Sequence, residues 1–379
     1  YYSCIYVKLR EYYLLENATK DTKLALEKEP ANKLYLKNLT IITMQANNFK
    51  ECAQYWDKIL EIGALSDDEK FDYSAFCEKT GDFENWHKYF YARFSRAEAK
   101  NFPTINAPKW NGNTDISDKT LLIYFEQGFG DNILMWGFNK QLIKKAPNII
   151  WVVPDALYPL LKFNDLNIPV YPAGTTNIKN LHFDYYIPSM DIPKILNITK
   201  DTACAGANYI NVRNEKYEHY KNKYFTSNDK LKIGISFSGS LNGNNTRDIP
   251  PKYFEILDQL NNIEIFILNK DTDENSFTNF KNNKVINIAK YFNNFEDTAA
   301  IIKNLDIVIT CDNVILNLAG ALGIKTYALF NWNYEYRWYD LENNNVGWYT
   351  TVTPFINKSN NDWGSTMQEV YNQIKIDES

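Results

Sequence analysis

Three segments of this chain place glycines, hydroxyls, amides and charged groups directly after short apolar runs. The first, Glu126-Gln127-Gly128-Phe129-Gly130-Asp131, follows Leu121-Leu122-Ile123-Tyr124-Phe125. Gly128 and Gly130 permit a tight turn, and Asp131 stands at the start of a helix. A carboxylate there can serve as the N-cap or, turned into a cleft, take a proton from an attacking hydroxyl. Glu126 is a second carboxylate, directly behind the apolar run and suited to bonding the turn backbone.

The second segment runs from Ser236 through Phe237, Ser238, Gly239, Ser240, Leu241, Asn242, Gly243, Asn244, Asn245 and Thr246 to Arg247. Small residues let amides and hydroxyls approach phosphate oxygens, and one arginine can clamp a diphosphate with two charge-assisted bonds. The GxxxxGK[ST] spacing of a P-loop is absent, and a plain surface loop with a solvated arginine is the alternative. The third segment, Cys311-Asp312-Asn313-Val314-Ile315-Leu316-Asn317-Leu318-Ala319-Gly320-Ala321-Leu322-Gly323, reads as a strand end, a helix and a glycine stop. Its helix start offers amides and a positive dipole end to an anion, and Ala319, Gly320 and Ala321 let the helix lie close on a sheet. An ordinary turn capped by Asp312 explains the same pattern without a ligand.

Other residue types narrow the chemistry. His87, His182 and His219 fall outside the three segments, so no histidine base is expected. Cys4, Cys52, Cys77, Cys204 and Cys311 form no CxxC pair, which gives neither a zinc spacing nor a disulfide framework and fits a reducing, cytoplasmic setting. The net charge of -5 without a long basic run speaks against nucleic acid, and no apolar run is long enough to cross a bilayer.

The elements that must position these segments alternate. Leu121–Phe125 and Ile149–Val153 read as strands flanking a helix from about Asp131 to Lys145. The rhythm resumes with strands at Leu231–Phe237, Ile263–Leu268, Asp306–Cys311 and Thr326–Phe330, and helices at Pro251–Leu260, Phe295–Leu305 and Asn313–Leu322. Two such runs, joined by a polar stretch, imply two parallel-sheet domains with the three segments at the carboxyl ends of strands, where ligands of such sheets bind. No GxGxxG follows the first strand of either run, which disfavours a nicotinamide-dependent dehydrogenase.

The first hundred residues show helical spacing instead. Asn47-Asn48-Phe49 is matched by Gly81-Asp82-Phe83, and Ala25-Leu26-Glu27 by Ile59-Leu60-Glu61, each pair 34 residues apart. That is the tetratricopeptide period, and Tyr55, Trp56, Trp86, Tyr89 and Phe90 are the expected inter-repeat core. Pro103, Pro108 and Gly112 give 101–118 a linker's composition. The division is therefore repeats at 1–100, a linker at 101–118, sheet domains at 119–215 and 231–379, and a linker at 216–230.

The order and flanks of these stretches resemble the bacterial tetratricopeptide-repeat glycosyltransferases related to the heptosyltransferases. The likeness rests on Glu126 to Asp131, Gly234 to Arg247, Leu305 to Asp312, Leu318 to Gly323, Arg337-Trp338, Trp348-Tyr349 and Asn361-Asp362-Trp363. It implies an α/β GT-B fold with an N-terminal helical repeat region, and inverting, metal-independent sugar transfer from a nucleotide-diphosphate donor, with no separate cofactor. It implies Asp131 as general base, and Gly128, Gly130, Ser238, Gly239, Arg247, Asp312, Asn313, Asn317 and Gly320 around the donor. A protein or glycan acceptor would be held with help from the repeats. The last helix, Asn361 to Ile374, is expected to cross back to the first sheet domain. Two departures stand out: Asn317 replaces the usual His and Asn313 the usual Thr, so donor identity can differ, and a non-catalytic scaffold is the alternative function.

Overall fold

The computed structural model describes residues 12–96, 102–227, 229–239, 247–270, 272–358 and 362–378. They form two compact units: a helical unit of 12–96, 331–340 and 358, and a sheet unit of the rest.

The helical unit consists of α1 (Tyr12–Lys28), α2 (Lys33–Gln45), α3 (Phe49–Ile62), α4 (Asp67–Thr80) and α5 (Phe83–Tyr89), followed by a 3₁₀ turn. Helix starts at Lys33 and Asp67 are 34 residues apart, as are those at Phe49 and Phe83. Each start is set by a short polar cap. Asn32 accepts from Leu34 and Tyr35 N–H, Asn48 from Glu51 N–H and Asp82 from Asn85 N–H, while Ser66 and Glu69 form a capping box. Tyr55, Trp56, Trp86 and Phe90 are buried between the helices, and Tyr89 is half-buried. Residues 331–340 belong to this unit too, with Trp332 buried against Ala18 and Ile42.

The sheet unit contains two sheets. In the first, β1 (Thr120–Tyr124), β2 (Asn148–Val153), β3 (Val170–Pro172) and β4 (Tyr185–Pro188) are parallel in the order β3-β2-β1-β4. The second has the order β10-β9-β8-β5-β6-β7, with β5 (Leu231–Ser236), β6 (Ile263–Ile267), β7 (Lys284–Asn287), β8 (Ile307–Cys311), β9 (Lys325–Asn331) and β10 (Val352–Asn357). Counted from β5, that is 3-2-1-4-5-6, the doubly wound order, and the first sheet is its 3-2-1-4 portion. Strands buried at every position, such as β6 and β8, fit sheets covered on both faces.

Several expectations change. The helix after β1 is α6, Phe129–Trp136, with a separate turn at Asn139–Leu142 in place of one helix to Lys145. Gly137, against Ala205 and Tyr209, marks the break. Pro251–Gln259 is 3₁₀. The residues read as a linker at 102–118 bury Ile105, Trp110 and Ile116, and Trp110 N–H donates to Tyr186 O at 3.0 Å beside β4. The polar stretch before β5 contains α7 (Asn214–Tyr224), fixed to α8 (Phe295–Ile302) by Arg213–Glu296 and Lys216–Asp297 ion pairs. The last helix, α10 (Gly364–Glu378), packs on the second sheet. Its Met367, Val370 and Ile374 share one core with Ile265, Phe254 and Phe355, and Tyr327 donates to Asp377 near its end.

Candidate functional site

Beyond β1 the chain turns through Gln127, whose φ of 61° lies in the left-handed region seldom held by a non-glycine residue. Gly128 is the N-cap of α6, so Asp131 is the third helical residue and not the cap expected from its spacing. Its Oδ2 accepts the Gly128 N–H at 2.9 Å, steadying the turn from inside. Buried Asn132 donates to Glu126 O and Gly128 O at 2.9 and 2.7 Å and accepts from the Ser189 hydroxyl at 3.1 Å. Ser189 follows β4, and its Oγ accepts Glu126 N–H at 3.2 Å. Glu126 Oε1 in turn accepts Met190 N–H at 3.2 Å. The Glu126 carboxylate thus bonds backbone, but at the turn after β4. This lattice spans the point between β1 and β4 where the strand order reverses.

The corresponding point of the second sheet lies between β5 and β8. Asn313, and not Asp312, caps α9 (Val314–Leu322). Its Oδ1 accepts from Ile315 and Leu316 N–H, so two amides that the sequence offered to an anion are already used. Its Nδ2 donates to Ser236 Oγ at 2.8 Å and Ser238 O at 3.0 Å, tying the ends of β8 and β5. Asn269, beyond β6, accepts Phe237 N–H and donates to Ser238 Oγ at 2.8 Å. Gly239 N–H donates to Asp248 Oδ1 at 3.0 Å, and a Cβ at Gly239 would meet no described atom within 4 Å. Residues 240–246 of this loop lie outside the described residues. Where the chain resumes, Arg247 Nη1 lies 3.4 Å from Asp312 O and 3.7 Å from its carboxylate. The cation expected to face phosphate is therefore steered by a carboxylate at the same helix entrance.

The two switch points meet through α6 and α9. A Cβ at Gly130 would fall 2.5 Å from Asn317 Nδ2, so only glycine allows this approach. Asn317 Nδ2 faces Asn313 O at 3.4 Å, and because a carbonyl only accepts, Oδ1 must face the Tyr349 hydroxyl, which donates to it at 2.8 Å. Burial, then Tyr209 and the charge of Asp131, push the Tyr349 phenol well above its ordinary value and keep it a donor. Gly320 lies under that ring, where a Cβ would come within 2.6 Å.

Gly128, Gly130 and Asp131 thus lie at the start of α6, Ser238 and Gly239 beyond β5, Arg247 beside Asp312, and Asn313, Asn317 and Gly320 at the entrance to and along α9. The sequence reading missed Asn132, Ser189 and Asn269. Single polar residues after short strands carry no spacing signal, although Tyr349 lies in a stretch already noted for its likeness. Among the described residues, no three His, Cys, Asp or Glu side chains come together as a metal site, and no helix is long and apolar enough to cross a membrane.

A family 9 glycosyl transferase from Veillonella parvula superposes on this geometry with a TM-score of 0.51, covering 70% of this chain and 91% of that one at 12% identity. The chain shares that protein's fold. The ADP-heptose lps heptosyltransferase II of E. coli gives 0.48 over 69% and 100% at 11% identity. A further E. coli heptosyltransferase, with ADP, gives 0.46 over 68% and 99% at 11% identity. No protein-family model and no curated protein matches the chain.

Proposed function

We propose that this chain is a glycosyltransferase that moves a sugar from a nucleotide-diphosphate donor to an acceptor hydroxyl, with inversion and without a catalytic metal. The observation that carries this reading is the junction of two parallel-sheet switch points at Gly130 and Asn317, since such points are where open sheets bind ligands. The fold shared with a Veillonella glycosyl transferase supports the same class.

In this mechanism Asp131 takes the proton of the acceptor hydroxyl as its oxygen bonds to the anomeric carbon. The bond from that carbon to the diphosphate breaks, and the electron pair leaves with the diphosphate. Arg247 and the positive end of α9 stabilise the departing charge. Gly128 and Gly130 leave room beside the base. Ser238, Gly239, Asp312 and Asn313 shape the donor loop, and Asn317 offers the sugar a neutral donor, with Gly320 keeping Tyr349 behind it. The acceptor is a protein or glycan, met with help from the helical unit, which we read as tetratricopeptide-like, in a cytoplasmic setting.

A non-catalytic scaffold is the second reading, favoured by the commitment of Asp131 to Gly128 N–H. A thermal-shift screen against nucleoside diphosphates and their sugar conjugates separates the two. A ligand present at 100 times its Kd adds about 2.7 kcal/mol to apparent stability. The transferase reading expects a shift with one nucleotide class, lost in Arg247→Ala, whereas no shift with any nucleotide selects the scaffold.

A further inference from the structure

A primary amide has a donor edge and an acceptor edge, and its surroundings decide which of them a ligand meets. Asn317 lies in α9 with 8% of its surface exposed. Its Oδ1 accepts the Tyr349 hydroxyl at 2.8 Å, and one Nδ2 hydrogen faces Asn313 O at 3.4 Å. Among the described residues the second Nδ2 hydrogen meets no acceptor. A nearly buried N–H without an acceptor is costly, so this hydrogen is a place for an oxygen supplied by a ligand. The nitrogen lies against Gly130, where a Cβ would fall 2.5 Å from it, one residue before Asp131.

Tyr349 is itself held. It is 2% exposed, and its ring covers Gly320, where a Cβ would come within 2.6 Å. Beside its hydroxyl lies Tyr209, whose N–H donates to Ala321 O of α9 at 3.1 Å and whose ring packs 2.9 Å from where a Cβ at Gly137 would stand. Burial pushes both phenols above their ordinary value, so the Tyr349 proton stays in place for Asn317 Oδ1 through the neutral range. Turning the amide over would set Oδ1 against Asn313 O, two acceptors with no proton between them. We propose that Tyr349 is a positioning residue for donor recognition: by holding Oδ1 it presents the second N–H of Asn317 to an oxygen of the donor sugar. The site then reads the sugar at this point and not the nucleotide. This rests on the transferase reading of the donor site.

Titrations on the full chain test this, comparing wild type, Tyr349→Phe, Asn317→Ala and the double variant. Tyr349→Phe keeps the ring over Gly320 and removes only the hydroxyl. The probes are the nucleoside diphosphate that shifts the melting of wild type and its sugar conjugate. We expect the ratio of affinities, sugar conjugate over diphosphate, to fall about tenfold in each single variant and no further in the double, with affinity for the diphosphate changing by less than about twofold. A purely structural role would weaken both probes alike, and that result overturns the proposal. An unchanged ratio in Tyr349→Phe, or a further fall in the double variant, overturns it too. Urea unfolding of the same four proteins reads the hold without a ligand. The midpoint should shift less on Tyr349→Phe in the Asn317→Ala background than in wild type, and equal shifts overturn the hold. If wild type binds neither probe, the transferase reading fails and donor recognition with it, while unfolding still decides whether Tyr349 fixes the amide.

Discussion

Gly130 and Asn317, one from each half of the sheet unit, approach so closely that a methyl group on the first would lie 2.5 Å from the side-chain nitrogen of the second. Asn317 has little freedom to withdraw, because Tyr349 holds its oxygen and Asn313 O faces its nitrogen. Gly130→Ala is therefore expected to destabilise the chain by about 1–3 kcal/mol, the usual cost of overpacking. Asn317→Ala removes the obstacle, so the double variant should be more stable than additivity of the single changes predicts. Urea unfolding of the four proteins measures this, and additive effects would refute the contact.

Asp131 carries two duties that one substitution can separate. Asp131→Asn keeps an oxygen for the Gly128 N–H but removes the base. Turnover should fall by about 10²–10⁴-fold, the range for a positioned proton acceptor, with melting nearly unchanged. Steady-state transfer assays on the donor found by thermal shift measure it. Undiminished turnover removes Asp131 from the chemistry and leaves it as a turn brace.

Acid stability should depend on the brace between α7 and α8. Burial alone would raise the Asp297 pKa, but hydrogen bonding from Lys216, with Asn293 and Tyr220, outweighs it and holds the carboxyl below its usual range. A carboxyl with a depressed folded pKa contributes stability above the unfolded value of about 3.9, and loses it as pH falls through the lower folded value. Lys216→Met should cost about 1–2 kcal/mol near neutral pH, since Lys216 is one-third exposed and partly screened. The difference between variant and wild type should shrink towards pH 2. A penalty independent of pH would mean that Lys216 matters through packing alone.

Much of the architecture follows from local patterns. Buried strands such as β6 and β8 announce themselves as mostly apolar stretches, and the two-stage rhythm of strands and helices implies two parallel sheets. The strands that escaped are short, like β3 and β7, or carry a proline, like Pro354 in β10, so they lack an apolar run to mark them. Composition misled at 102–118 and 216–230, where polar residues dominate but Trp110 is buried and Lys216 pairs with the Asp297 carboxylate 81 positions away.

By itself, the sequence determined the glycine turn before Asp131, the helix that opens after Asn313 and the 34-residue recurrence, because turns, caps and periodicity are properties of neighbouring residues. Only the tertiary structure decided that Asn313 and not Asp312 caps that helix, that Gly130 meets Asn317, and that 331–340 lies on the helical unit. Those outcomes turn on which polar groups compete for one amide, or on contacts between residues far apart in the chain, and neither leaves a mark in local spacing.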